Sequence, residues 1–252
     1  MTFILGAVPL DPEKVAHLGS GYFVDEVLSL EKSINLLVFP ECSLTGFYPR
    51  KASELAHNED KRFSDFFSGL AASLKTNVLA GAFRVTATGV QNQAVLFSSS
   101  GTEVVAYSKK NLFRPAGEDK FLCSGDDSIL TSIAGFTVSP KICYDLRFPD
   151  CFYDQAPDVD LFAVIANWPD ARKGHWEALL KARAIENEAF VLGVNRSGQD
   201  SSGLEYSGQP LLFDPTGAEC TPLGDSATIS VWSLGDRSIF ETVGSTVGKF
   251  KS

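Results

Sequence analysis

Short apolar runs, bounded by turn formers such as Gly, Pro, Asn, Asp and Ser and separated by amphipathic stretches, restrict the fold of this 252-residue chain more than any other feature. They lie at Phe3–Val8, Ile34–Phe39, Val78–Phe83, Ala94–Phe97, Val104–Tyr107, Phe136–Cys143, Leu161–Ala166, Val191–Asn195, Gln209–Phe213 and Ala227–Trp232. Each is too short for a helix and rich in β-branched or aromatic residues, so each predicts a strand. Helical periodicity falls between them, at Val24–Lys32, Lys61–Lys75 and His175–Ala189. In the second, Phe63, Phe66, Phe67, Leu70 and Leu74 share one face, and in the third Leu179, Ala182, Ile185 and Ala189 do. The alternation predicts an α/β fold. Only a Ser-Ser-Ser-Gly-Thr turn precedes Val104, which predicts a hairpin and hence two sheets. Without internal repeats or a long linker, residues 1–252 read as one domain.

Composition narrows the partners. The net charge of −9 opposes nucleic-acid binding, because phosphates require a basic face. The N-terminus lacks a basic segment, and no run approaches the roughly 18 apolar residues of a membrane span. Neither secretion nor membrane insertion is expected. The five cysteines are odd in number and form no CxxC pair, which favours a reduced, cytoplasmic setting over a disulfide framework. Three histidines without an HExxH motif supply no familiar zinc site, so no metal is expected.

Three segments place reactive residues at strand ends, where α/β proteins build their sites. They are Phe39-Pro40-Glu41, Tyr107-Ser108-Lys109-Lys110-Asn111-Leu112-Phe113 and Cys143-Tyr144-Asp145-Leu146-Arg147-Phe148-Pro149. Singly they are unremarkable: a strand-end acid or paired lysines are commonly solvated, and a lone cysteine is commonly buried and inert. Together they supply a nucleophile, a base and a positive charge for an oxyanion, the parts that acyl transfer needs.

The combination resembles the nitrilase (carbon–nitrogen hydrolase) superfamily. The match runs over roughly residues 34–217 and includes Asn167-Trp168-Pro169 and His175 to Asn187. The resemblance implies a four-layer αββα sandwich and a Glu41–Lys109–Cys143 triad that uses no cofactor. By position, Glu118 corresponds to a second family glutamate, which orients Lys109 and the substrate. The Tyr144 N–H, directly after the nucleophile, would join Lys109 at the oxyanion. Within the family the chain is most similar to omega-amidases, which cleave the terminal amide of 2-oxoglutaramate and succinamate. Amide and water would be the small-molecule partners, and a homodimer or higher homo-oligomer is implied.

Two departures stand out: Asn111 replaces the usual histidine of YxKxHLF, and Pro140 interrupts the strand before Cys143. A substrate carboxylate needs a cation. Arg172 and Lys173 are candidates at the pocket rim. Arg147 is another, although pairing with an acid to hold the nucleophile turn is the role favoured for it. Phe47 and Trp168 are candidate apolar walls. Other branches, such as N-carbamoyl amino-acid amidohydrolases and deaminated-glutathione amidases, share the triad. A Cys–His–Asp hydrolase would have to use His17, His57 or His175. A metal hydrolase lacks ligands, and a non-catalytic interaction protein would leave the triad unexplained.

Overall fold

The computed structural model describes residues 2–19, 21–28, 33–226, 228–235 and 240. In chain order the strands are β1 (Phe3–Ala7), β2 (Leu36–Val38), β3 (Asn77–Thr86), β4 (Gly89–Phe97), β5 (Glu103–Ser108), β6 (Thr131–Ile133) and β7 (Phe136–Ile142). They continue with β8 (Leu161–Ala166), β9 (Phe190–Asn195), β10 (Ser197–Gln199), β11 (Glu205–Ser207), β12 (Leu211–Phe213), β13 (Gly224–Asp225) and β14 (Ser230–Leu234). The helices are α1 (Pro12–Leu18), α2 (Gly21–Leu28), α3 (Ala52–Leu74), α4 (Asp150–Tyr153) and α5 (Lys173–Asn187). Residues 29–32 of the helix predicted at Val24–Lys32, and Ala227 of the last predicted strand, lie outside the described residues.

Among the described residues one sheet runs β13-β14-β1-β2-β3-β4-β5 and another β12-β9-β8-β7-β6, with β10-β11 as a separate ribbon. Each large sheet has a parallel centre, β1-β2-β3 or β7-β8-β9, and antiparallel flanks. Alternate side chains sort the layers. Leu5, Ala7, Leu36 and Val38 of the first sheet meet Leu161, Ala163, Ile165 and Leu192 of the second in one core between the sheets. Outward-facing Leu37 and Val78 pack with Phe23, Phe63, Phe67 and Leu70 of α2 and α3. Phe162, Val164 and Val191 pack with Trp176, Leu180 and Ala184 of α5. The layers are therefore α, β, β and α, the sandwich that the family resemblance implies. No helix among the described residues is long and apolar enough to cross a membrane.

Pro140 fits without breaking the ladder. Strand β6 pairs with β7 only as far as Val138. Ile142, two residues beyond Pro140 and facing the same flank, gives its N–H to Asp145 Oδ2 (3.1 Å). The proline ring therefore sits where the strand has an open edge, the position that tolerates a missing donor.

Candidate active site

Glu41, Lys109 and Cys143 follow β2, β5 and β7, so both sheets deliver a reactive side chain from a strand's carboxyl end. Glu41 is fixed by a close crossing with β3. The Gly81 N–H donates to Pro40 O (3.1 Å), and the Ser43 N–H donates to Gly81 O (2.8 Å). A Cβ on Gly81 would stand 2.6 Å from Glu41 Cα and 2.8 Å from Cys42 N. Only glycine permits this approach.

Lys109 Nζ donates to Glu41 Oε1 (3.0 Å) and to Glu118 Oε1 (3.1 Å), and all three side chains are fully buried. Burial opposes the ammonium, but the two carboxylates outweigh it and hold the Lys109 pKa well above the ordinary lysine value. Asn92 Nδ2 bridges the same two acids, 2.8 Å from Glu41 Oε1 and 3.1 Å from Glu118 Oε1. Glu118 Oε2 also accepts from the Phe113 N–H (2.5 Å). The other oxygen of Glu41 accepts from the Asn167 N–H (2.8 Å) and from Asn167 Nδ2 (3.3 Å).

Cys143 opens a single-turn 3-10 helix, Cys143–Arg147, with φ +45°. That left-handed conformation costs a non-glycine residue about 1–2 kcal/mol and must be held by its surroundings. Asp145, fully buried, does the holding. Its carboxylate accepts from the Ile142 N–H, the Asn111 N–H (2.8 Å), Asn111 Nδ2 (3.1 Å) and Tyr107 Oη (2.9 Å). Burial raises the Asp145 pKa against the pull of these donors and of Lys109. Asn111 thereby ties the lysine loop to the Cys143–Arg147 turn, a role that its departure from the usual histidine concealed.

The turn is held from behind by Arg183 of α5, which donates to Leu146 O from Nε (3.2 Å) and Nη2 (2.9 Å). This corrects the role favoured for Arg147. Among the described residues Arg147 has no acidic partner: it lies 4.8 Å from the Trp168 ring centroid, with Nη2 3.2 Å from His175 Nδ1. The arginine that braces the turn is the one that also pairs with Glu186.

Burial, and after it the charge of Glu41, pushes the Cys143 thiol well above the ordinary range, while Lys109 pulls it down. Its Sγ donates to Asn167 O (3.8 Å) and shares no direct hydrogen bond with Glu41. The Tyr144 N–H lies in the first turn of the 3-10 helix, where N–H groups lack an intrahelical acceptor.

A cavity of about 410 Å³ opens over Lys109 and Cys143. That is within the roughly 300–1,000 Å³ typical of small-molecule sites. Phe47, Phe113, Tyr144 and Trp168 give it apolar walls, and Arg50, Lys51, Arg147 and Arg172 add cations. Arg172 lies 5.7 Å from the Phe113 ring centroid. Among the described residues none of these four cations is in an ion pair. Asp200 is the acid in this lining, and its oxygens are already occupied by the Ser202 N–H and Oγ, the Leu204 N–H and Tyr206 Oη. Lys173 does not line the cavity; it faces Glu177 (3.8 Å), so its place at the rim is corrected.

Sequence reasoning passed over Asn92, Asp145, Arg50, Lys51 and the Asp200–Tyr206 segment. The one usable signal was the amide run Gln91-Asn92-Gln93 inside an otherwise apolar strand.

Comparison with known proteins gives a consistent set of relatives. The model of the carbon–nitrogen hydrolase family matches residues 21–231. Omega-amidase YafV of Yersinia enterocolitica is 37% identical over 195 residues, covering 77% of this chain and 74% of that protein. The 2-oxoglutaramate amidase of Bacillus subtilis is 30% identical over 188 residues, covering 74% and 72%. The crystal structure of a CN-hydrolase superfamily protein from Xanthomonas campestris, with an arsenic adduct in its active site, superposes with a TM-score of 0.85 at 26% identity. It covers 98% of this chain and 95% of its own.

Proposed function

Because this chain belongs to the carbon–nitrogen hydrolase family, we propose that it cleaves the terminal amide of a small omega-amide acid, of the 2-oxoglutaramate or succinamate type, to the acid and ammonia. The observation that carries this reading is the buried Glu41–Lys109–Glu118 cluster beside Cys143, at a cavity whose Arg50, Lys51, Arg147 and Arg172 are in no ion pair among the described residues.

The electrostatics favour a coupled proton transfer. With both carboxylates ionised, Lys109 protonated and the thiol neutral, the cluster carries −2 + 1 = −1. A free thiolate would make it −2, whereas passing the thiol proton to Glu41 leaves it unchanged. Glu41 therefore takes the proton as Cys143 Sγ bonds to the amide carbon. The tetrahedral oxyanion lies between Lys109 Nζ and the Tyr144 N–H. As the C–N bond breaks, Glu41 returns the proton and ammonia leaves a thioester. Water, deprotonated by Glu41, then attacks that thioester, releasing the acid and restoring the thiol. Glu118 keeps Lys109 oriented, and Phe47 and Trp168 flank the acyl chain. Arg172 and Arg147, which both line the cavity, receive the distant carboxylate.

Steady-state assays on succinamate, 2-oxoglutaramate, an N-carbamoyl amino acid and an aliphatic nitrile test the reading. The omega-amides should be turned over with the highest kcat/KM. Cys143→Ala should abolish turnover while the protein remains folded by circular dichroism. Arg172→Ala should raise KM for succinamate about tenfold, the loss of roughly 1.4 kcal/mol of binding. Faster turnover of the carbamoyl compound, or an active and folded Cys143→Ala protein, would overturn it. A cytoplasmic homodimer or higher homo-oligomer accompanies this reading; light scattering of the purified protein checks the assembly.

A further inference from the structure

Arg196, directly after β9, is 1% exposed and takes no part in the chemistry above. It joins three segments around the cavity. Its Nη2 donates to Asp11 Oδ1 (3.4 Å) and to Glu13 Oε2, at the start of α1. Its Nε and Nη2 donate to Ser197 O (3.2 Å) and Gln199 O (3.5 Å) on β10. Its guanidinium stacks 4.6 Å from the ring centroid of Tyr206 on β11. Glu13 in turn accepts from Tyr48 Oη (2.8 Å), and Tyr48 Oη accepts from the Ser201 N–H (3.4 Å). Tyr48, Ser201, Leu204 and Tyr206 all line the cavity. Two further details seat the ribbon on α1. Ser197 Oγ donates to Pro9 O (2.6 Å), and a Cβ on Gly198, at φ +84°, would stand 2.2 Å from Asp11 Oδ2.

We propose that the β10–β11 ribbon is the wall that limits substrate size, and that Arg196 is the positioning residue that clamps it shut against α1 and Tyr48. Its charge is spent on Asp11 and Glu13, so Arg196 adds no cation to the substrate's surroundings. Its planar fork matters in two ways: it bonds carboxylates and backbone carbonyls at once, and it stacks on Tyr206. Releasing the clamp should let the ribbon lift and admit longer acyl chains without moving Cys143, Glu41 or Lys109, which hang from other strands.

The wall rests on the omega-amide reading for its substrates, so the test has two arms. The first compares kcat/KM for succinamate and for its eight-carbon homologue suberamate in the wild type, Arg196→Met and Gly198→Ala. The wild type should prefer the shorter acid by more than tenfold. Either folded variant should narrow that preference at least tenfold, chiefly through a lower KM for suberamate. General damage to the fold would depress both substrates together. The second arm needs no turnover. Alkylation of Cys143 by iodoacetamide and by N-phenylmaleimide is read on the Cys143 peptide by mass spectrometry, since Cys123 and Cys220 are also partly accessible. The variants should gain at least tenfold in relative labelling by the bulky reagent. If neither acid is turned over but this gain is seen, the substrate assignment fails and the wall stands. An unchanged labelling ratio in a folded variant overturns the wall. Gly198→Ala keeps the Arg196 side chain and its Glu13 partner and pushes the ribbon off Asp11 instead, so the question stays answerable if Arg196→Met does not fold.

Discussion

At the scale of the residue, Cys143, the proposed nucleophile, sits in surroundings that discourage its ionisation. Burial and the Glu41 charge raise its pKa, so little thiolate stands ready near neutrality. Alkylation of Cys143 by iodoacetamide should be slow at pH 7 and still be rising beyond pH 9. Glu41→Gln removes a negative charge that opposes the thiolate, so the rise should begin at lower pH, while amide turnover is lost. Peptide-level labelling rates across pH check this; an unshifted or higher onset would contradict it. The three reactive residues were legible because each ends an apolar run with a reactive side chain. Their supports were not. Asp145 and Asn92 are ordinary polar residues in sequence, and their roles arise where Asn111, Tyr107 and Ile142, or Glu41 and Glu118, meet them in space. Nothing local distinguished Arg183 as the brace of the turn from Arg147.

At the scale of the element, strand β7 carries a buried cation that the chemistry does not use. Lys141 Nζ donates to Ser139 Oγ (3.1 Å) and Gln155 Oε1 (2.5 Å), beneath the rings of Tyr107, Phe152 and Phe162. Burial outweighs the opposing charge of Asp145 and brings its pKa down to about 8. The unfolded chain, with an ordinary lysine pKa near 10.4, binds this proton more tightly. Lys141 should therefore contribute a climb in stability of about 3 kcal/mol as pH rises from about 8 to about 10.5, against the opposite trend of the buried thiols. Lys141→Met should remove the climb and gain most of that stability at pH 7. Urea melts at several pH values check it, and an identical pH dependence in the variant would contradict it. Helix α3 begins nine residues before its predicted start because its first turn has no side-chain cap to announce it. Helix α1 was announced, by Asp11 accepting from the Glu13 N–H (3.1 Å) ahead of Pro12, but is too short for periodicity to reveal. The β10–β11 ribbon is polar along its length and leaves no apolar signature.

At the scale of the molecule, two sheets were readable from the mixture of hairpins and helical connections, and their stacking on one core only from the family resemblance. The charge pattern was not. A chain of net charge −9 gathers Arg50, Lys51, Arg147 and Arg172 at its cavity from separate stretches of sequence. An anionic substrate should therefore be drawn to a local field opposite in sign to the overall charge. Between about 0.01 and 0.15 M salt the Debye length falls from roughly 30 to 8 Å. The kcat/KM for succinamate should drop severalfold over that range, while that for neutral butyramide stays level. A flat profile for both would deny the cations a part in capture. All of this hangs on a covalent bond at Cys143. Rapid acid quench of the enzyme during turnover of succinamate, followed by mass spectrometry of its peptides, tests that bond directly. The Cys143 peptide should carry a succinyl group that disappears as substrate is exhausted. Turnover with an unmodified Cys143 at every quench time, or acylation of another residue in its place, would contradict it.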